Sequence, residues 1–597
     1  MPPRHSEAAQ RPKNLAPGPS SLPAATPQDD VFSVENRIGR PYSGLVDAAV
    51  EKALGDSVIA RIWQKDPAVW KEKPSEQSEI TNRLGWLDAP RKSLRLADEY
   101  LAFAETVKKE GIRHVVLLGM GGSSLAPEVF FETFGPRPGF PRLIVLDSTD
   151  PERVRDARAA ITLNKTLFVF SSKSGTTTEP LSLYRYFYEE ARRALRGGSE
   201  RDAGRRFAAV TDPATSLEDL AKRAGFRRIF YGNPEVGGRF SALTAFGLVP
   251  AALAGVDVRA VLKTAQALSE RCKENRRDNP ALLLGAAMAV LSLQKKDKLT
   301  FLGSKSFARL GDWVEQLVAE STGKEGKGVV PVIREESSSS DYGSDRFFAA
   351  LVEGKDAAVE KRLVELRQAG HPALIFRVRS KEDLGAEFYR WEMATAVAGA
   401  ILRINPFDQP NVQETKDRTK AVLKKLETNR KTGVKMEPLG AGNLKGHAAA
   451  AVGTKNPWVS FWKSLRVREA VHLLAFLPHR PQVRRALEKI SGTVRVRTKS
   501  AVTLGFGPRY LHSTGQLHKG GADNAIFLML TARRRGRIPV PGEKFSFEEL
   551  EFAQAMGDFQ ALDARGRRVL WIELPGFGPA LLGAVDKTLR KTLSDLS

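Results

Sequence analysis

The sequence predicts an α/β protein built from parallel, doubly wound sheets, and three observations carry that prediction. From Arg113 to Val256, a short β-branched run, a loop rich in Gly, Ser, Thr or Asp, and an amphipathic stretch follow one another repeatedly. The alternation resumes after Leu299. Beyond residue 456 a third region echoes the second: Leu299-Thr-Phe-Leu-Gly303 has a counterpart in Val502-Thr-Leu-Gly505, Glu320-Ser-Thr-Gly-Lys324 in His512-Ser-Thr-Gly-Gln516, and Glu387-Phe388 in Glu551-Phe552. Such echoes predict a C-terminal α/β lobe that partly duplicates the second domain.

Taken in order, residues 1–34 are rich in Pro, Ala and Ser without an apolar core segment, which predicts a disordered tail and not a signal peptide. Residues 35–95 read as a helical segment. The first α/β domain spans 96–265, with strands at His114–Leu118, Leu143–Leu146, Thr166–Phe170, Phe207–Val210 and Arg228–Tyr231. The second spans 266–416, with strands at Leu299–Leu302, Gly328–Val332 and Ala373–Val378 and helices at Phe307–Glu320 and Leu384–Ile404. In the first of these helices Phe307, Leu310, Val314 and Leu317 form one apolar stripe, leaving Glu320 at the end and off the core. Lys/Arg runs followed by Gly and Ala predict a linker over 417–456, and 457–597 form the third lobe.

Composition bounds the function. A chain of 597 residues exceeds the size of one core. The single cysteine, Cys272, excludes intrachain disulfides and cysteine metal clusters, and a reducing cytoplasm is the natural setting. The longest apolar run, Leu282 to Leu293, falls short of the ~18 residues a membrane span needs, so it reads as a buried helix and no membrane partner is expected. The net charge of +24 is scattered over helix faces and not interleaved with aromatics. It therefore reads as a solvated surface that steers anionic metabolites, with no nucleic-acid partner.

Four segments carry chemistry. Gly119-Met-Gly-Gly-Ser-Ser124 follows the first strand, a turn that lets backbone approach a ligand, although it lacks the third glycine of a dinucleotide fingerprint. Ser171-Ser-Lys-Ser-Gly-Thr-Thr-Thr-Glu-Pro180 follows a later strand and leads into a helix. Unpaired N–H groups at the helix start, the positive end of its dipole and six hydroxyls make this a cradle for a phosphate on a small ligand. Gly237-Gly-Arg-Phe-Ser241 places Arg239 where it can stabilise an oxyanion. Glu320-Ser-Thr-Gly-Lys324 sets a carboxylate at a helix end before a glycine turn, a candidate base.

In this order the motifs Gly-Gly-Ser123, Ser172-Lys-Ser-Gly-Thr-Thr-Thr-Glu179, Gly-Gly-Arg239-Phe, Glu320-Ser-Thr-Gly-Lys, and Asn405-Pro-Phe-Asp-Gln409 followed by Lys416 resemble the phosphoglucose isomerase family, built from two sugar-isomerase (SIS) domains. The resemblance covers roughly residues 110 to 420. The wider chain is similar to the isomerase half of bacterial transaldolase fusions, but only some 90 residues precede the first α/β domain, too few for a (β/α)₈ barrel, so no transaldolase activity is expected. The resemblance implies aldose–ketose isomerisation of glucose 6-phosphate and fructose 6-phosphate through an enediolate. Gly122, Ser123, Ser172, Lys173, Ser174, Thr177, Glu179 and Gln409 would bind the sugar phosphate. Glu320 would be the base, Arg239 the charge stabiliser and Lys416 a ring-opening residue. It implies no metal or redox cofactor and allows a homodimer. Another hexose phosphate such as mannose 6-phosphate, or a non-catalytic SIS-type sugar-phosphate sensor, are the alternative readings.

One departure stands out. The family's ring-opening histidine, twenty to thirty residues after the base, is absent from Glu335-Glu-Ser-Ser-Ser-Ser-Asp-Tyr-Gly343. Short bacterial isomerases carry it in a segment resembling Leu-His-Ser-Met-Gly-Gln, and Leu511-His-Ser-Thr-Gly-Gln516 lies in the third lobe. Either His512 has taken over that role, or His512 and His518 serve only the turn.

Overall fold

A computed structural model of the chain describes residues 32–195, 200–335, 338–428, 434–453, 455–533 and 536–596. Most of the expected tail therefore lies outside the described residues. Strand β1 (Val34–Arg37) falls at the boundary drawn before the helical segment and leaves it, becoming the antiparallel edge of the second sheet. Short helices from Tyr42 to Leu94 follow. Their aromatic side chains anchor them to the second domain: Trp70 donates to the Ala396 carbonyl at 2.8 Å, and Leu87 O accepts from the Tyr389 hydroxyl.

In the first sheet, β2 (His114–Leu118), β3 (Arg142–Leu146), β4 (Thr166–Ser171), β5 (Phe207–Thr211) and β6 (Arg228–Tyr231) run parallel in the order β3-β2-β4-β5-β6. Central strands β4 and β5 are buried throughout because helices cover both faces, which is why they read as unbroken apolar runs. Helix α1 (Thr178–Ala194) leaves the Ser/Thr loop at the carboxyl end of β4.

The second sheet contains β7 (Lys298–Gly303), β8 (Val330–Val332), β9 (Arg346–Glu353) and β10 (Ala373–Val378), ordered β1-β10-β9-β7-β8. Three of these were expected; β9 was not. Its run Arg-Phe-Phe-Ala-Ala-Leu-Val-Glu opens on an arginine after a serine-rich stretch and looks like a surface segment. In the fold Arg346 is fully buried, paired with Glu335 at 2.7 Å and donating to Thr300, so its charge is satisfied inside. Helix α2 (Leu310–Thr322) follows β7, and helix α3 (Leu384–Leu402) follows β10.

Residues 417–456, expected as a linker, carry structure. Helix α4 (Val412–Glu427) buries Val422 and Leu423, and the Lys/Arg run lies largely on its outer side. Strands β11 (Glu437–Pro438) and β12 (Lys445–Ala448) then form the antiparallel edge of the third sheet, joined by β13 (Ala470–Phe476), β14 (Ala501–Phe506), β15 (Ala525–Ala532) and β16 (Arg568–Leu574) in the order β11-β12-β16-β15-β13-β14. Helices α5 (Pro481–Thr498), α6 (Gly515–Gly520) and α7 (Phe547–Asp563) intervene. Helix α4 crosses α7 so closely that a Cβ on Gly557 would sit 2.7 Å from the Thr419 hydroxyl.

All three sheets share one order of parallel strands. With the strands of each sheet numbered by sequence, β3-β2-β4-β5, β8-β7-β9-β10 and β14-β13-β15-β16 each read 2-1-3-4. The third lobe thus repeats the second in topology, including the antiparallel strand beside the fourth. The sequence echoes do not mark equivalent places. Leu299–Gly303 lies in a first strand and Val502–Gly505 in a second; Glu387 follows a fourth strand and Glu551 a third. They are alike because strand ends and helix starts make similar local demands.

The third lobe's core is pH-sensitive by construction. His472 on β13 bonds through Nδ1 to the Thr503 hydroxyl at 2.6 Å, and its ring lies 4.5 Å from that of His518. Burial pushes His472 down to about 3, and His518 and His479 also fall well below their ordinary value, burial being the main cause. The unfolded chain takes up protons below about pH 6.5 that these folded histidines refuse, so stability falls as pH drops through that value, by up to about 1.4 kcal/mol per pH unit per histidine. Denaturant titrations at pH 7 and pH 5 are expected to give lower stability at pH 5, and His472→Asn to remove about a third of that histidine-derived slope.

Candidate active site

The carboxyl edge of the first sheet provides three loops. The Gly119–Ser124 turn after β2 is glycine-rich for a packing reason. A Cβ on Gly122 would lie 1.9 Å from the Gly238 carbonyl oxygen, and one on Gly121, at φ +55°, would meet both the Gln316 amide and the His512 carbonyl at 2.9 Å. Main chain of the first and third lobes therefore meets at this turn, with the Gln316 side chain of the second packed against it. Gly122, expected to border the ligand, gives its vacant space to Gly238; Ser123 beside it remains half-buried.

In the loop after β4, Ser172 accepts the Gly175 N–H at 3.1 Å and fixes a turn in which Gly175 takes φ +74° against the Leu217 backbone. Thr177 occupies the N-cap position of α1, yet its hydroxyl makes no capping bond. The threonine is thus not there to close the helix. Ser174 and Thr176 are exposed, their hydroxyls 2.8 Å apart, and Thr176 joins the candidate set that the motif suggested. Lys173 differs from expectation. Its ammonium pairs with Asp212 and donates to the Asn233 and Pro234 carbonyls at 3.2 and 3.3 Å. Burial lowers its pKa while Asp212 opposes the shift. With that charge committed, the loop offers an anion its hydroxyls, its main chain and the start of α1.

Arg239 is 2% exposed and fully engaged. Its Nε donates to Ser321 Oγ at 2.7 Å, Nη1 to Gln409 Oε1 at 2.9 Å, and Nη2 to the Pro406 and Asp408 carbonyls at 2.6 and 2.8 Å. Nη1 also lies 3.2 Å from Glu320 Oε1. One guanidinium thus ties together the 237–239 loop, the end of α2 and the 405–409 loop. The other oxygen of Glu320 accepts from Gln316, one turn earlier on α2, at 3.2 Å. Below them Lys324, which closes the Glu320 motif and was given no role there, is buried against Asp408 (2.6 Å) and the Asn405 carbonyl (2.5 Å). Burial pushes it down to about 7, with Arg239 adding to the shift and Asp408 resisting it.

His512 enters from the third lobe. Its Nε2 lies 2.8 Å from Glu179 Oε1, and its carbonyl accepts from Gln316 at 2.7 Å, so Gln316 joins the candidate base to the histidine's main chain. Gln554 of α7 donates to the same Glu179 oxygen at 2.7 Å and accepts from Thr149 at 2.7 Å. Burial alone would raise Glu179; the charge and hydrogen bond of His512 outweigh it and Lys416 adds to them, leaving the carboxyl below its ordinary value. Lys416 itself is exposed on the first turns of α4. His518, by contrast, stacks among His472, Tyr510 and Phe527 and belongs to the core. The third lobe is held in place by Gln516, which donates to Gly323 O at 3.0 Å and accepts from the Asn411 N–H at 2.9 Å.

Parallel 2-1-3-4 sheets with a hydroxyl-rich loop at a strand's carboxyl end define an α/β protein of the SIS type. Solved structures share the fold: a hypothetical protein, TT0462, of Thermus thermophilus (TM-score 0.57, 24% identity, 65% of this chain and 100% of that one) and a glucose-6-phosphate isomerase of Chlamydia trachomatis (TM-score 0.55, 18% identity, 66% and 88%). The profile of the phosphoglucose isomerase family matches residues 102–345. Glucose-6-phosphate isomerases of Carboxydothermus hydrogenoformans and Mycoplasmopsis pulmonis are each 30% identical, over 380 and 391 residues, covering 53% and 57% of this chain and 80% and 90% of theirs. The chain belongs to the phosphoglucose isomerase family.

The glycine junction is directly testable. Gly122→Ala forces two backbones apart and is expected to cost about 1–3 kcal/mol, read as a lowered denaturation midpoint. Gly44→Ala, in an early helix with nothing within 4 Å, should be neutral or stabilising by up to about 1 kcal/mol.

Proposed function

We propose that this chain interconverts glucose 6-phosphate and fructose 6-phosphate by proton transfer through an enediolate. The observation that carries the reading is the convergence of the Arg239–Glu320 pair and the Glu179–His512 pair, joined by Gln316, beside the Ser/Thr loop. The loop holds the phosphate through the hydroxyls of Ser174, Thr176 and Thr177 and the start of α1. That fixes the sugar while chemistry proceeds at its other end.

His512 opens the ring. With its Nε2–H given to Glu179, the imidazole keeps Nδ1 to exchange a proton with the sugar oxygens, and Glu179, itself positioned by Gln554, fixes the ring's orientation. Glu320 then takes the proton from C2, electrons move into the enediolate, and the same carboxyl returns the proton at C1. Arg239 faces the negative charge that develops, already desolvated and oriented by its protein partners. Gln409, fixed by Arg239, and Lys416 attend the sugar hydroxyls. Within this reading the third lobe supplies the histidine, so one chain holds a complete site. The single, buried Cys272 accords with a reducing cytoplasm.

Glu320→Gln is expected to lower kcat by about 10²–10⁴-fold in a coupled glucose 6-phosphate assay; an unchanged rate removes Glu320 as base. His512→Ala should slow turnover of the cyclic sugar while sparing solvent-proton exchange at C2 of an open-chain analogue. Specific activity should also stay constant on dilution into the range where sedimentation finds only monomer.

A further inference from the structure

Where the second and third lobes meet, a second cavity of about 470 Å³ opens beside the catalytic cleft without being part of it. Asp312 and Glu315 of α2 line one wall. Arg509, Tyr510 and Ser513, which flank His512, line another, and Arg484 of α5 stands opposite. The family's motifs reach none of these groups except through shared elements.

The cavity's cations are unevenly compensated. Arg509 is held by Glu128 and, at 3.1 Å, by Asp147. Arg334 is paired with Asp312, but its Nε is buried without a hydrogen-bond partner, and its backbone sits at φ +56°, a strained conformation for a non-glycine residue. Arg495, also on the lining, is paired with Glu335 at 3.4 Å, whereas the one carboxylate near Arg484 is the exposed Glu488, a long contact at 3.5 Å. Two of its nitrogens instead point at one ring nitrogen of His479, at 3.0 and 2.7 Å, and its face lies over Phe506. Because that histidine nitrogen accepts, it brings no charge to balance the guanidinium. Burial first, then the charge of Arg334, pushes Arg484 down to about 10. Glu315, half-buried and beside Asp312, is pushed up to about 8 by desolvation and then by the Asp312 charge, so near neutral pH it is largely a neutral acid that can donate.

We propose that this cavity is a second anion site, taking a phosphate group between Arg484 and Arg334 with the Glu315 carboxyl as an additional hydrogen-bonding partner. Guanidinium groups favour bidentate contact with phosphate, and a packed, stacked Arg484 loses little freedom on binding. The bound group would touch α2, which carries Glu320, and would share its cavity with Arg509 and Ser513, which flank His512.

Equilibrium dialysis with labelled inorganic phosphate tests this without reference to isomerase activity. The Arg484→Met variant, which keeps the stem over Phe506, is expected to bind one equivalent fewer than the unsubstituted chain; equal stoichiometry overturns the proposal. The Ser174→Ala/Thr177→Val variant should keep the cavity equivalent whatever happens at the Ser/Thr loop, which separates failure of this site from failure of the catalytic reading. Crystals of the unsubstituted chain soaked in tungstate should place an anomalous peak against Arg484, and a cavity empty of tungstate also sinks the idea.

Discussion

A single buried guanidinium governs how this active site is assembled. Arg239 is sealed from solvent and satisfied only if Ser321, Gln409 and the carbonyls of Pro406 and Asp408 converge on it. Leaving such a cation partly unpaired costs several kcal/mol, so the first domain, the end of α2 and the 405–409 loop are forced into one arrangement. Glu320 is positioned as part of that arrangement. The chemistry therefore rests on the residue that also joins the domains.

The third lobe is fixed by a second set of constraints, steric where the first is electrostatic. Gly121 permits close approach of the His512 main chain, and Gln516 ties α6 to Gly323 and Asn411. Together these deliver His512 to Glu179. In the proposed mechanism the histidine absent from the segment after the base is supplied from about 190 residues downstream in the same chain. The shared 2-1-3-4 order explains how: a lobe that repeats the second domain's topology presents its strand-end loops in the same manner.

Much of the fold was legible because parallel strands buried on both faces must be apolar along their length, and their loops must carry Gly, Ser and Thr. β9 was hidden because Arg346 and Glu335 neutralise each other inside, which no local pattern reveals. The helix over 412–427 was hidden because its solvent side dominates its composition. At the site, the motifs marked Glu320, Lys324, Arg239 and the Ser/Thr loop, whereas Gln316, Thr149 and Gln554 act through partners far away in sequence and left no signal. The pairing of Lys173 was hidden for the same reason, its partner Asp212 lying on another loop.

By itself, the sequence determined the kind of architecture and marked a phosphate-type loop, a candidate base, a candidate charge stabiliser and a displaced histidine, because each is written in residue types at short spacing. Tertiary structure alone decided which of those groups meet. Whether His512 belongs to the core or to the cleft depends on contacts between lobes, and whether Lys173 is available and which glycine serves packing depend on contacts between separate loops of the first domain; both are set by burial and hydrogen bonding between residues distant in sequence.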